Sequence, residues 1–180
     1  MLANLVARLV QLALDLATAV IRGLLGAPVK AVEHAVQPIL FRSAKPHEVI
    51  DVRHAVLREG RPRETAIFDG DDAGDTRHWV ADRSGLVIGV VSVMRRPAPE
   101  PCDAPRPQWQ LRGMATLPEY RGQGLGAALL RQTQLDVAEP MWCNARERVV
   151  GFYAREGWVA TGEPFDIPPI GNHVRMVWRG

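Results

Sequence analysis

From Ile39 onward the chain alternates between short runs rich in β-branched residues and longer segments of helical period, a pattern of interleaved strands and helices. Ile39-Leu40-Phe41-Arg42 predicts a first strand. Lys45 to about Leu57 predicts a helix, with Ser43 as its cap and Val49, Ile50, Val52, Val56 and Leu57 on its core face. Gly60 to Thr76 reads as a polar connection. Arg77 to Asp82 and Leu86 to Met94 predict two strands joined at Arg83-Ser84-Gly85, which makes a hairpin. Five prolines between Pro97 and Pro107 mark an exposed loop. Gln108 to Thr116 then predicts a strand, Gly124 to about Ala138 a helix, Met141 to Asn144 a short strand and Glu147 to Arg155 a helix. Trp158 to Thr161 and His173 to Trp178 supply the last strands.

The first 37 residues follow a different pattern. Asn4, Arg8, Gln11, Asp15, Thr18 and Arg22 recur at spacings of 4, 3, 4, 3 and 4, one polar stripe on an otherwise Leu, Val, Ile and Ala helix. After the Gly26-Ala27-Pro28 break, Val29 to Gln37 reads as a second short amphipathic helix. No run approaches the roughly 18 uninterrupted apolar residues of a membrane span, and no signal-peptide layout is visible. The wide apolar face needs a cover, and three remain open: the rest of the chain, another copy in a homodimer, or a lipid interface engaged by residues 1–25. The stripe is only weakly basic, which argues against a lipid surface. The chain is therefore read as an extension over 1–37 followed by one domain over 38–180.

Composition narrows the class. With 180 residues, 47% hydrophobic and 23% charged, the chain holds one well-buried domain. A formal charge of +2, without aromatic-basic clusters, gives no reason to expect nucleic acid as a partner. Cys102 and Cys143 form neither a disulfide framework nor a metal spacing and read as reduced thiols of a cytoplasmic protein. The five histidines are scattered, so no metal is expected. Asp69 to Asp75 superficially matches a calcium loop, but Ala73 and Val80 stand where ligands belong, and the segment reads as a solvated turn.

The chemistry concentrates at Arg121-Gly122-Gln123-Gly124-Leu125-Gly126, between a predicted strand and a predicted helix. Glycines at alternate positions let the backbone turn tightly and bring its N–H groups against a ligand. The good helix formers that follow aim free N–H groups and a positive dipole end at the same point. An anion is the natural occupant. A P-loop is excluded because no glycine here precedes a lysine, and a dinucleotide fingerprint fails because Ala127 sits where its third glycine belongs.

The Arg-x-x-Gly-x-Gly pattern resembles that of the GNAT superfamily of acyl-CoA-dependent N-acyltransferases. Leu111 to Tyr120, ending in Pro118-Glu119-Tyr120, is similar to the family's central strand and its lead into the loop. Gly151-Phe152-Tyr153-Ala154-Arg155-Glu156-Gly157-Trp158 is similar to its Phe-Tyr-x-x-x-Gly-aromatic segment. The resemblance covers roughly residues 38 to 179 and implies an α/β (α+β) fold, a mixed, mostly antiparallel sheet with splayed central strands flanked by helices. Asn144-Ala145-Arg146, Asp69 to Asp72 and Ile170 to Met176 further resemble the ElaA-like group.

The resemblance also implies roles. Acetyl-CoA is the expected acyl donor, with its phosphates on Arg121, Gly122, Gln123, Gly124, Leu125 and Gly126 and its pantetheine arm along the backbone of Met114, Ala115 and Thr116. Tyr153 is expected to protonate the departing thiolate. Arg146 stands where the family often has a CoA-contacting asparagine, and it can reach phosphate or pantetheine instead. Glu163, Asp166 and His173 are candidates for a base near the acceptor. The expected reaction is direct acetyl transfer to a primary amine of a small-molecule or peptide acceptor; the alternative is a non-catalytic acyl-CoA-binding regulatory module.

Overall fold

Seven strands form one sheet in the computed structural model, which describes residues 38–180 and, before them, Leu14, Asp15 and Ala17, all three helical. The expected amphipathic helices of residues 1–37 otherwise lie outside the described residues. The chain divides into two units, 1–38 and 39–180, and the sheet belongs wholly to the second. Its strands are β1 (Ile39–Ala44), β2 (Thr76–Arg83), β3 (Leu86–Arg95), β4 (Trp109–Thr116), β5 (Met141–Arg146), β6 (Val159–Ile167) and β7 (Gly171–Trp178), in spatial order β1-β2-β3-β4-β5-β7-β6. All neighbours are antiparallel except β4 and β5.

That one parallel pair needs a crossover, which α2 (Leu125–Val137) supplies. Leu125, Leu129, Leu130, Thr133 and Val137 form its buried face, spaced at helical period. Leu129, Leu130 and Val137 pack with Trp79, Val91, Val93, Leu111, Cys143 and Tyr153 as the main core, the last from α3 (Val150–Arg155), while Leu125 packs on Ala81 and Ile88. The opposite face is covered by α1 (Ile50–Leu57), whose Val52, with Val49 just before it, packs on Val80, Val90 and Ala115. Burial of each such side chain contributes roughly 1.5–3 kcal/mol.

Three local expectations change. Ser43 belongs to β1 and caps nothing: the turn before α1 is a 3-10 turn over Pro46–Val49, where the Glu48 carboxylate accepts from the Lys45 N–H at 2.7 Å. Proline at its first position, which lacks an N–H to satisfy, sets that start two residues later than a Ser43 cap would. The β2–β3 connection is a two-residue turn, Ser84 and Gly85, with φ of 53° and 85° and the Gly85 N–H held by Asp82 Oδ1 at 2.7 Å. The Asp69–Asp75 turn is not wholly solvated, because Asp71 is buried under it.

Candidate functional site

β4 and β5 pair only at Trp109↔Met141 and Gln110↔Trp142. Beyond those two positions they splay, so the edge of β4 from Leu111 to Thr116 that faces β5 carries peptide groups with no strand partner. Against β3, Gly113 and Met114 together oppose Val91 alone, a β-bulge between the Val90↔Ala115 and Ser92↔Arg112 pairs. Gly113 has φ of 61°, and a Cβ there would lie 2.5 Å from Arg53 Nε. The extra residue switches the strand's parity. Leu111 packs toward α2, while Ala115, four residues on, packs toward α1.

The glycine-rich loop lies at the end of this open edge. Gly122 and Gly124 have φ of 73° and 78°, which explains glycine at both, and Gly124 is the N-cap of α2. Among the described residues the N–H groups of Gln123, Gly124, Leu125 and Gly126 find no backbone acceptor, and the first turn of α2 holds no acidic side chain. Free donors and a positive dipole end therefore converge. Gly126 packs closely: a Cβ there would meet Thr116 Oγ1 at 3.6 Å and Met114 Cε and Phe152 Cε2 at 3.7 Å. This approach brings the loop, the free edge of β4 and α3 to one place. Arg121 is exposed and donates from Nε to the Thr116 carbonyl at 3.2 Å.

Tyr153 enters from the α2 side. Its ring is buried, edge-on to Phe152 and Trp158 at centroid distances of 5.1 and 5.3 Å, and its hydroxyl is 3.7 Å from Met114 Sδ beside the Cys143 thiol. Burial, followed by the neighbouring Cys143, raises the phenol well above its ordinary value. Burial likewise raises the Cys143 thiol, against a smaller lowering effect of the Tyr153 hydrogen bond. Both groups are thus held protonated, which suits a tyrosine that donates a proton and leaves the cysteine a poor nucleophile.

Arg146 stands on the other face. Cys143 and Ala145 belong to the core beneath α2, whereas Trp142 packs with Ala98 and Val177 on the opposite side, and alternation along β5 puts Arg146 with Trp142. It is half-buried and donates from Nη2 to the Leu57 carbonyl at 3.4 Å. Arg146 and Arg121 both line a cleft of about 390 Å³ between the end of α1, the ends of β4 and β5 and the β6–β7 connection. Gln123, Gly124 and Leu125 line a separate, mostly apolar hollow of about 190 Å³ with Ile39, Phe41 and Tyr120.

The three candidate bases separate. Glu163 and Asp166 are exposed on β6, the outermost strand, with β7 between them and β5. His173 is buried on β7 directly opposite Arg146. Its Nδ1 donates to the Gly171 carbonyl at 2.6 Å, so the neutral ring keeps its lone pair on Nε2.

A buried polar group beneath the bulge was not expected. Arg53, wholly buried, donates from Nη1 to Asp71 Oδ2 at 2.6 Å and from Nη2 to Ser92 Oγ at 2.6 Å; His78 Nδ1 also meets Ser92 Oγ, and His78 Nε2 donates to the Asp71 carbonyl at 2.9 Å. Burial lowers the Arg53 pKa, opposed by its hydrogen bond to Asp71 and that carboxylate's charge. The sequence held one signal: Arg53 follows Val49, Ile50 and Val52 on the apolar stripe, where a charge implies a buried counter-ion. Among the described residues, no His, Cys, Asp and Glu side chains cluster as a metal site, and no helix is long and apolar enough to cross a membrane.

Known proteins share this fold. A family model described as the acetyltransferase (GNAT) domain matches residues 74–160. The "Uncharacterized N-acetyltransferase YitI" of Bacillus subtilis (strain 168) is 38% identical over 133 residues, 72% of this chain and 88% of that protein. Among solved structures, Escherichia coli ElaA superposes with a TM-score of 0.63 at 16% identity, over 79% of this chain and 100% of its own. An aminoglycoside 6'-N-acetyltransferase complexed with coenzyme A superposes with a TM-score of 0.60 at 11% identity, over 78% of this chain and 96% of its own. At such identities the two structures establish the fold, and the YitI relative carries the family. The chain belongs to the GNAT superfamily of acyl-CoA-dependent N-acetyltransferases.

Proposed function

We propose that the chain transfers an acetyl group from acetyl-CoA directly to a primary amine. The observation that carries this reading is the set of N–H groups on Gln123, Gly124, Leu125 and Gly126, free of backbone acceptors, at the end of an unpaired β4 edge. Together with Gly122 and the Arg121 guanidinium these N–H groups would hold the phosphates, each charge-assisted bond being worth about 1.5–3 kcal/mol. The backbone of Met114, Ala115 and Thr116 would hold the pantetheine amides, and a strand N–H at the bulge would polarise the thioester carbonyl. Arg146 would close the far side of the splay, within reach of donor or acceptor.

Bond changes balance with two proton carriers. The amine nitrogen forms the new N–C bond as the C–S bond breaks; the Tyr153 phenol gives its proton to the departing sulfur, and His173 Nε2, directly or through water, takes the proton that the amine loses. Direct attack is favoured because burial makes Cys143 a poor nucleophile. Isothermal titration of acetyl-CoA into the protein and into Gly124→Val, followed by thiol release over an amine panel, tests the reading. Binding by the parent, its loss in the variant and release with some amine are expected. No binding by the parent overturns it, and binding with no release from any amine would leave an acyl-CoA-binding module.

A further inference from the structure

The cleft beside the splay carries an unusual charge pattern. Arg61, Arg121, Arg146 and Arg148 line it, and Glu59 is the one acidic residue among its lining. Among the described residues none of these four arginines has a carboxylate partner, although six ion pairs form elsewhere. Arg61 and Arg146 donate to the carbonyls of Pro169 and Leu57, each at 3.4 Å, and Arg121 to that of Thr116. Among the described residues Arg148 has no hydrogen-bond partner. The acidic side chain between Arg146 and Arg148, Glu147, is turned to Asn172 Nδ2 at 3.4 Å.

Like charges gathered at a concave surface repel one another, and they focus a positive potential that an anion relieves. The crowding registers on Arg146, whose pKa is lowered by burial first and then by Arg148, Arg58 and Arg61. Guanidinium forks match carboxylate and phosphate oxygens. Of the four, Arg121 belongs to the glycine-rich loop. Arg61 comes from the segment after α1 and Arg148 from the turn after β5, so neither is part of that loop.

We infer that Arg61 and Arg148, with Arg146 between β5 and α1, form an anion subsite for the acceptor, so that the amine acetylated by this chain also bears a carboxylate or phosphate. The inference rests on the acetyl-transfer reading above and names the acceptor class of that site. An anion held here would place the acceptor's amine toward the splay, where the thioester carbonyl is expected.

Amine pairs that differ by one anionic group test it: lysine and cadaverine, tyrosine and tyramine, phosphoethanolamine and ethanolamine, each assayed by thiol release at saturating acetyl-CoA. The acidic member of at least one pair should show a kcat/KM about tenfold or more above its partner, the worth of one charge-assisted bond. Arg148→Gln removes charge without breaking any hydrogen bond in the structure, and Arg61→Gln provides a second variant. Either should collapse that preference while leaving the KM for acetyl-CoA unchanged. Three results overturn the inference: turnover of neutral members equal to or better than acidic ones, a rise in the KM for acetyl-CoA without change in acceptor preference, which would give the arginines to the CoA phosphates, or no acidic member turned over. Failure of acetyl-CoA to bind the parent protein would mark instead the failure of the acetyl-transfer reading.

Discussion

Asp71→Ala is the sharpest test of the buried group beneath the β4 bulge. The substitution removes the 2.6 Å bond from Arg53 Nη1 and the 2.8 Å bond that Asp71 Oδ2 accepts from the Phe68 N–H. It leaves the Arg53 guanidinium, with 0% of its side chain exposed, facing only Ser92 Oγ, the Ala66 carbonyl at 3.4 Å and the Phe68 ring. Removing one partner of a buried pair costs about 3–5 kcal/mol, a large part of the roughly 5–15 kcal/mol that holds a domain together. With a urea slope of about 2 kcal/mol per molar, the unfolding midpoint should fall by about 2 M. Tryptophan fluorescence in a urea titration reads this out. The double variant Arg53→Met with Asp71→Leu, which removes both charges, should recover most of the loss. A single-variant cost below about 1 kcal/mol, or a double variant no better than the single, would refute the claim that Arg53 depends on Asp71 for its burial.

Two further outcomes follow from the buried pair on the other face. Tyr153→Phe keeps the ring and its packing, so kcat should fall by about 10²-fold with the KM for acetyl-CoA unchanged, and unchanged turnover would remove Tyr153 from the acid role. For stability, the unfolded Cys143 thiol ionises near pH 8.5 while the folded thiol, raised by burial, does not. Above that pH the unfolded state therefore binds fewer protons than the folded one, and stability should fall by up to about 1.4 kcal/mol per pH unit, with Tyr153 adding the same sign above about pH 10. Urea midpoints from pH 7 to 10 check this, and Cys143→Val should flatten the decline between pH 8.5 and 10; an unchanged slope in that variant would refute the assignment to Cys143.

Much of the candidate site was legible because its signals are local. Glycine at 122 and 124 reflects a backbone requirement that any chain must meet, and the two positions do adopt left-handed φ. The helix after them, the strand before them and the Ser84-Gly85 turn are likewise decided within a few residues. The base candidates were not separable in that way. Glu163, Asp166 and His173 lie close in the chain, yet strand order sends the first two to the outer edge and buries His173 opposite Arg146. The sequence marked Asp71 as polar and hence solvated, and only its meeting with Arg53, eighteen residues away, makes it interior.

By itself the sequence determined the order of strands and helices and the place of the glycine-rich loop, because period and turn chemistry act over one element at a time, whereas the tyrosine beside the loop was expected from the family resemblance. The tertiary structure decided that β4 and β5 part after two pairs, that a bulge at Gly113 turns Ala115 to the opposite face from Leu111, and that Arg61, Arg121, Arg146 and Arg148 meet around one cleft. Each of these depends on contacts between segments far apart in the chain, whose register and approach are set by packing the whole sheet between its helices.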